Sequence, residues 1–483
     1  MQYPRLEEAL DQAALNGLLR YDESGNLIHV PFSLSPFSIS QAELHEMQQL
    51  TEPFSEMMLR VSRDREFIRE LLEPLAESDT FLEMLLGMGL REETQTLQLL
   101  IQRNDFFLTD HEVSGTTLRQ VELNTIAASF PFLIERLMET QRDHFADDSI
   151  FSKMLVPNSP LERVVDAMAK AVQSYGNADG SMLTVIQPNE ANRFDQLGLE
   201  QKLRKKHGIR CLRNSLEDIG QNGSLKQGHL MIGNSPVALV YYRAGYTPDD
   251  FKNPEAKKGR ELIEHSSAIQ TPDLWMQLAG MKKIQQALTR PEILNQFAPK
   301  PWISKMASTF VKMHSLGEDT GAQGISQKAM DLANKNPESW VLKPQREGGG
   351  NNYFDKEMTQ KLNNMTPSEL KAHVLMERIR PRNHPAWLMV QGQSDYTSCV
   401  SEIGRYGVLL ANRGTIELNS DCGYLVRTKS EDVNEGGVCA GYSCLNTLCL
   451  EEKESSLKIR RRARWLKADR VRQEPSRFLL RHW

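Results

Sequence analysis

Three consecutive glycines, Gly348-Gly349-Gly350, follow closely on an apolar and basic run, Val341-Leu342-Lys343, that reads as a strand. Glycine lacks a Cβ and reaches backbone angles closed to other residues. A backbone that free can fold over phosphate oxygens and turn its N–H groups toward them. Pro344, Gln345, Arg346 and Glu347 stand between strand and glycines, and the amides Asn351 and Asn352 follow. Lys343 and Arg346 bring positive charge for an anion, and Glu347 brings a hard oxygen of the kind Mg²⁺ prefers. A bare triple glycine reads equally as a surface turn between a strand and a helix. The flanking charges shift the reading to a nucleoside triphosphate site under a glycine lid. Neither a Walker P-loop nor a Rossmann turn occurs at this stretch, so ATP bound there is held by another fold.

At 483 residues the chain exceeds one ordinary hydrophobic core, and two or three lobes are expected. Hydrophobic residues at 40% and charged residues at 25% describe a globular protein. A net charge of −5 argues against nucleic acid as the partner of the whole molecule. No apolar run reaches the roughly 18 residues that span a bilayer. The first residues carry no basic-then-apolar leader, so no signal peptide is expected. The six cysteines form no C-x-x-C pair and no disulfide framework, which points to a reducing, cytoplasmic setting.

Val121-Glu122-Leu123-Asn124-Thr125 alternates apolar and polar residues and reads as a strand. Glu122 and Asn124 then share one face. A carboxylate beside an amide oxygen makes half a Mg²⁺ shell; the same pair also suits the wet face of an edge strand. Residues 1 to about 100 read as mostly helical, with Leu44, Met47, Leu50, Phe54, Met57 and Met58 at helical spacing. That methionine-rich stripe reads as core packing before ligand groove. Pro31 to Phe37 reads as a loop, Leu278 to Ile284 as the start of a helix, and Met306 to His314 as helical. Residues 181 to about 283 alternate strands and helices, as an inserted α/β lobe would.

Lys343 to Asn352 resembles the glycine-rich lid of the eukaryotic glutathione synthetases, which are ATP-grasp ligases. Further segments match that family in the same order, from about residue 30 to about residue 445. The resemblance implies an α/β (α+β) ATP-grasp fold with an inserted substrate-binding lobe and a lid. It implies body segments at 1–180, 284–315 and 398–450, the lobe at 181–283, and the lid and ATP-binding region at 316–397; the basic tail at 451–483 departs from the family and reads as a disordered extension. It implies magnesium, two ions, on Glu122, Asn124 and Glu347. For ATP it implies Glu122, Lys282, Lys343, Pro344, Gln345, Arg346, Glu347, Gly348, Gly349, Gly350, Asn351 and Asn352. It adds Phe354, where the family has tyrosine, with Met376, Glu377, Arg378, Ile379, Glu402, Lys429 and Glu435. The segment Val374 to Ile379 would recognise adenine through its backbone, so Arg378 in place of the usual lysine matters little.

For substrate the resemblance implies Arg103 and Arg427 as carboxylate clamps, together with Ile126, Ala127, Ala128 and Ser129. From the lobe it adds Glu190, Ala191, Asn192, Gln196, Arg243, Ala244, Gly245 and Tyr246; the family usually has aspartate at the position of Ala244. Val438 and Cys439 complete a second loop over substrate, with Cys439 a packing residue rather than a nucleophile. Arg103, Lys343, Arg427, Gly348 and Gly349 would act at the reacting atoms. The implied reaction joins γ-glutamylcysteine to glycine with ATP, in a homodimer, without nucleic acid or membrane. Two alternatives remain at this point. One is a related ligase with another amine or dipeptide; the other is a binding protein whose changed C-terminus has cost it catalysis.

Overall fold

The computed structural model describes residues 3–22, 24–90, 95–177, 179–188, 190–317, 325–345, 351–434, 436–439 and 441–451. Arg346, Glu347, Gly348, Gly349, Gly350 and Glu435, and the basic tail from residue 452, lie outside the described residues.

A seven-stranded sheet forms the body. Its order is Asn383–Val390, Phe32–Ser33, Cys444–Asn446, Thr415–Ser430, Gln393–Asn412, Leu97–Val113 and Thr116–Asn124. The 20-residue strand Gln393–Asn412 is its spine. It pairs antiparallel with Asn383–Val390 at its start, with Thr415–Ser430 from Cys399 to Asn412, and with Leu97–Val113 from Glu402 to Asn412. Strand alternation sorts the side chains into two faces. Phe106, Leu123, Ile403, Tyr424 and Val426 pack toward the helix Gln41–Arg63 and its neighbours. Leu99, Ile101, Val408 and Leu410 pack toward the helices Pro131–His144 and Pro160–Tyr175.

The helix Gln41–Arg63 starts at a capping box, Ser40 with Glu43. Its stripe of Leu44, Met47, Leu50, Phe54, Met57 and Met58 is buried, so the methionine-rich pattern is core packing. The helix Pro160–Tyr175 begins with proline in the first turn and ends at Gly176, whose φ of +81° closes it.

Ser181–Val185, Cys211–Asn214, Ser235–Tyr242 and Ile269–Thr271 form a parallel sheet, extended antiparallel by His229–Ile232 and Gly223–Lys226. One face of it buries Leu183, Val185, Val237 and Val240 in a cluster with Leu216 and Ile219, and the other sets Met182, Leu239 and Ile269 in the same cluster as the body helices Pro131–His144 and Pro160–Tyr175. A four-stranded antiparallel sheet, Met313–Ser315, His373–Glu377, Trp340–Pro344 and Tyr353–Phe354, carries its own small core.

Three local expectations are corrected. Phe32–Ser33 is not loop but a strand of the main sheet, because burying Phe32 requires its backbone groups to be paired. The helix Ile303–Thr309 stops well before His314, which lies on a strand opposite Leu375. Leu278 ends one helix, Leu274–Ala279, and Lys282 starts the next, with Gly280 between them. In the two helical stretches the apolar periodicity ran through a break, and at Phe32 a two-residue strand is too short to show any periodicity. At the end of the described chain, Leu448–Leu450 pairs with Phe37–Ile39, so the body keeps a closing strand there.

Candidate active site

The antiparallel register puts the charged residues of the main sheet on one face. Asn124 stands opposite Arg103, and Glu122 opposite Asp105. Asp105 in turn stands opposite Gly404, and Glu402 opposite Arg427. Because every second residue shares a face, Arg103, Asp105, Glu122, Asn124, Glu402, Arg427 and Lys429 form one polar field. Gly404 makes room inside it. A Cβ there would lie 2.5 Å from Asp105 Oδ1 and 2.6 Å from Arg103 Cδ.

Asp105, absent from the expectations, is the hub. Arg103 donates to it through Nε at 2.7 Å and Nη2 at 2.8 Å. Arg427 Nη2 donates to Asp105 Oδ2 at 2.9 Å and to Glu402 Oε1 at 2.6 Å. Asn124 Nδ2 donates to Asp105 Oδ2 at 3.0 Å. Burial would discharge Arg103, but the Asp105 carboxylate holds it firmly cationic. The same balance, with Glu402 and Asp105 as partners, keeps Arg427 charged. The only sequence signal for Asp105 was its place two residues after Arg103.

Burial alone would raise the Glu122 carboxyl, but Lys282, Lys343 and Arg427 hold it at about 2. Lys282 Nζ sits 3.3 Å from Glu122 Oε2. Lys282 is the first residue of its helix and is nearly buried, unlike an ordinary lysine at a helix start. Gln345 supports that start: its Oε1 accepts from the Lys283 N–H at 2.9 Å.

These groups line a cleft of about 340 Å³ between the main sheet and the four-stranded sheet. Arg103, Glu122, Asn124, Ile126, Ala127 and Ser129 form one wall with Glu402, Arg427 and Lys429. Lys343, Pro344, Asn351, Asn352, Phe354 and the run Met376 to Ile379 form the other, and Lys282 and Tyr246 complete it. The N–H groups of Glu377 and Arg378 already donate to Lys312 O and Ser339 O, both at 2.8 Å. Those two donors are therefore committed to the protein, and Ile379 is the first residue past them.

The remaining substrate candidates sit beyond this cleft, most of them in the lobe. Arg243 reaches back to the body, its Nη2 donating to Ser129 Oγ at 2.5 Å. Its Nε and Nη1 are buried without a hydrogen-bond partner among the described residues, as are both amide atoms of Asn192. Buried polar groups are seldom left so, and both side chains fit a polar ligand. Gln196 is tied to Glu190 at 3.0 Å and accepts from Arg213 at 2.7 Å; Glu190 also accepts from the Asn192 N–H at 2.8 Å. Ala191 lies between Glu190 and Asn192, just before the helix Arg193–His207 that carries Gln196. Ala244 packs into the lobe core and Ala128 into the body core, so neither methyl reaches the cleft. Gly245 lies at φ +93° and its carbonyl accepts from Gln277 at 2.9 Å. Val438 is buried, whereas Cys439 is exposed, and Arg20 donates to the Cys439 carbonyl at 3.2 Å.

Asp195 was also missed. Its buried carboxylate accepts from the N–H groups of Phe130, Phe132 and Leu133 at 2.8, 3.0 and 3.3 Å. It caps the helix Pro131–His144 from the lobe side and so fixes the segment Ile126 to Ser129. The Tyr406 hydroxyl holds that segment from below by donating to Ser129 O.

Among the described residues no cluster of three His, Cys, Asp or Glu side chains stands ready for a metal, and no helix is long and apolar enough to cross a membrane.

A charged sheet face meeting a small antiparallel sheet across a cleft, beside a parallel-sheet lobe, defines a ligase of the ATP-grasp type. The solved structure of a glutathione synthetase-like effector from Globodera pallida shares the fold. It superposes with a TM-score of 0.74 at 21% identity, over 93% of this chain and 98% of that one. The family model for the eukaryotic glutathione synthase ATP-binding domain matches residues 5–450, and the chain belongs to that family. Glutathione synthetase of Homo sapiens is 34% identical over 460 residues, covering 91% of this chain and 95% of that protein. That of Xenopus laevis is 33% identical over 454 residues, covering 91% and 94%. The chloroplastic glutathione synthetase of Solanum lycopersicum is 33% identical over 465 residues, covering 92% and 83%. The match runs further at both ends than the residues 30 to 445 of the sequence resemblance.

Proposed function

We propose that this protein is a glutathione synthetase. It joins the carboxylate of γ-glutamylcysteine to the amine of glycine, with ATP converted to ADP and phosphate. Its membership of the family supports this reading. The observation that carries it in the structure is the convergence of Lys282, Lys343 and Lys429 with Arg103 and Arg427 on one cleft, beside an ionised Glu122.

Amide formation from a free carboxylate is uphill in water, and phosphorylation of the carboxylate drives it. Lys282, Lys343 and Lys429 hold the transferring phosphate, where point charges with several donors suit a moving anion. Arg103 and Arg427 orient carboxylates, each steadied by Asp105 from behind. Arg243 and Asn192 offer buried donors and acceptors to the γ-glutamyl end of the dipeptide. The glycine-rich lid excludes water from the acyl phosphate. Alignment of two bound reactants supplies roughly 7–11 kcal/mol, so no protein nucleophile is needed.

The residues present fit magnesium. Asn124 spends its amide N–H groups on Asp105 and the Arg103 carbonyl, which leaves its oxygen for a cation beside Glu122. Glu347 completes the proposed set. When bound, Mg²⁺ neutralises charge that develops on the phosphate oxygens. A cytoplasmic homodimer is part of the proposal through the resemblance.

The test is ADP release by the purified protein with Mg²⁺-ATP and γ-glutamylcysteine, with and without glycine, beside assay of the tripeptide. Glycine-dependent ADP and glutathione in equal amounts are expected. Turnover with another amine but not glycine overturns the assigned acceptor, and nucleotide binding without turnover overturns the activity.

A further inference from the structure

We propose that Arg378 is a positioning residue that ties the loop after strand Thr415–Ser430 to the nucleotide wall, so that nucleotide binding and ordering of the substrate-covering loop are coupled. The inference rests on the reading of the cleft as an ATP-dependent ligase site, and it gives Arg378 more weight than a tolerated change beside adenine.

The guanidinium bridges two elements that the chain separates widely. Its Nη1 donates to Asp355 Oδ1 and Oδ2 at 3.1 and 3.3 Å, at the start of the helix Asp355–Asn364. Its Nη2 donates to Asn434 Oδ1 at 2.7 Å, on the loop. Its Cζ lies over the Phe354 ring, 5.4 Å from the centroid. Arg378, Phe354 and Asn434 all line the cleft. Asn434 is held a second time, through its carbonyl, which accepts from Lys429 Nζ at 2.6 Å. One loop residue thus joins the nucleotide wall by its side chain and a proposed phosphate lysine by its backbone. Two residues further on come Gly436 and Gly437, which carry no side chain to fix the stretch between Asn434 and the buried Val438.

The geometry requires arginine. A guanidinium has two ends that donate in different directions while its face stacks on an aromatic ring; an ammonium is a single point charge. A lysine at 378 reaches Asp355 or Asn434 but does not bridge them. A nucleotide that settles against Phe354 and Arg378 therefore restrains Asn434, and with it the loop that reaches Val438.

Hydrogen exchange on the full chain tests this directly, using a non-hydrolysable ATP analogue with Mg²⁺. In the wild-type protein the analogue alone should slow exchange in residues 374–377 and also in 431–434. In R378K and in N434A the first protection should persist and the second be lost. In steady state each variant should raise KM for the dipeptide about tenfold, the weight of one charge-assisted hydrogen bond, with kcat much less affected. The double variant should be no worse than either single one, because both remove the same link. Equal protection of 431–434 in R378K, or independent effects that multiply in the double variant, overturns the proposal. Wild-type protein that gains protection at both segments but forms no glutathione refutes the proposed activity and leaves the coupling standing. No protection at 374–377 in the wild type refutes both.

Discussion

Arg103 and Asp105 lie two residues apart on one strand, and their side chains form a two-pronged ion pair at 2.7 and 2.8 Å that is almost wholly buried. The pair prepays the orientation of Arg103, and Asp105 shares its second oxygen with Arg427 and Asn124. Removing the carboxylate strands the buried Arg103 and leaves Arg427 to Glu402 alone. Asp105→Asn should cost about 3–5 kcal/mol of stability, the usual penalty for breaking a buried pair from one side. It should also raise KM for the dipeptide. Urea denaturation and steady-state kinetics read the two effects separately. Unchanged stability with normal KM would remove Asp105 as the hub.

Gly404 tests the same pair by bulk alone. Its Cβ would enter the space of Asp105 and Arg103 without touching substrate. Gly404→Ala should displace the ion pair by a fraction of an ångström to an ångström and lower kcat/KM by about 100-fold. Far-UV circular dichroism should stay that of the wild type. A variant with full activity would mean that the arginine need not be held so closely.

Asp195 acts across the junction between lobe and body. Asp195→Ala leaves three N–H groups without their acceptor at the start of helix Pro131–His144. A lost cap costs about 1–2 kcal/mol. The dipeptide KM should rise as well, because Ser129 loses its anchored neighbours, while the ATP KM stays near that of the wild type. Thermal melts with substrate titrations decide it.

Two buried histidines set an acid limit. Burial lowers His144 and His384 to about 4, below the ordinary 6.5. His144 Nε2 lies 2.9 Å from the Tyr3 hydroxyl, and His384 Nε2 lies 2.7 Å from Ser401 Oγ. A neutral histidine favoured by the fold contributes stability above pH 6.5 that is lost as pH falls toward 4. Glu135 opposes them, since burial raises its carboxyl to about 7; its contribution is present at low pH and fades as pH rises through 7. The histidines' share of the stability should therefore fall on acidification from pH 6.5 to 4.5. His384→Gln should flatten the slope in denaturation curves across that range. An identical slope in variant and wild type would show that His384 does not carry it.

Glu122 and Asn124 give the metal prediction. Chelation should abolish turnover, and Glu122→Gln should shift the Mg²⁺ dependence to higher concentration, because a neutral amide is a weaker ligand than a carboxylate. Titration of activity against free Mg²⁺ reads this. An unshifted curve would place the cation elsewhere.

The sequence by itself determined the local chemistry. Alternation in Val121 to Asn124 put Glu122 and Asn124 on one face, and helical spacing marked Leu44 to Met58 as core. These are properties of neighbours along the chain, set by the periods of strand and helix. Tertiary structure decided the rest. Asp105 became a hub only when three strands set Arg103, Arg427 and Asn124 around it. Asp195 became a cap only when the lobe met the body, and Arg378 became a bridge only when Asn434, 56 residues later, came within 2.7 Å. The reason is physical. Sequence records which groups a residue carries, but a buried charge takes its meaning from partners that register and packing bring to it, and those lie far away along the chain.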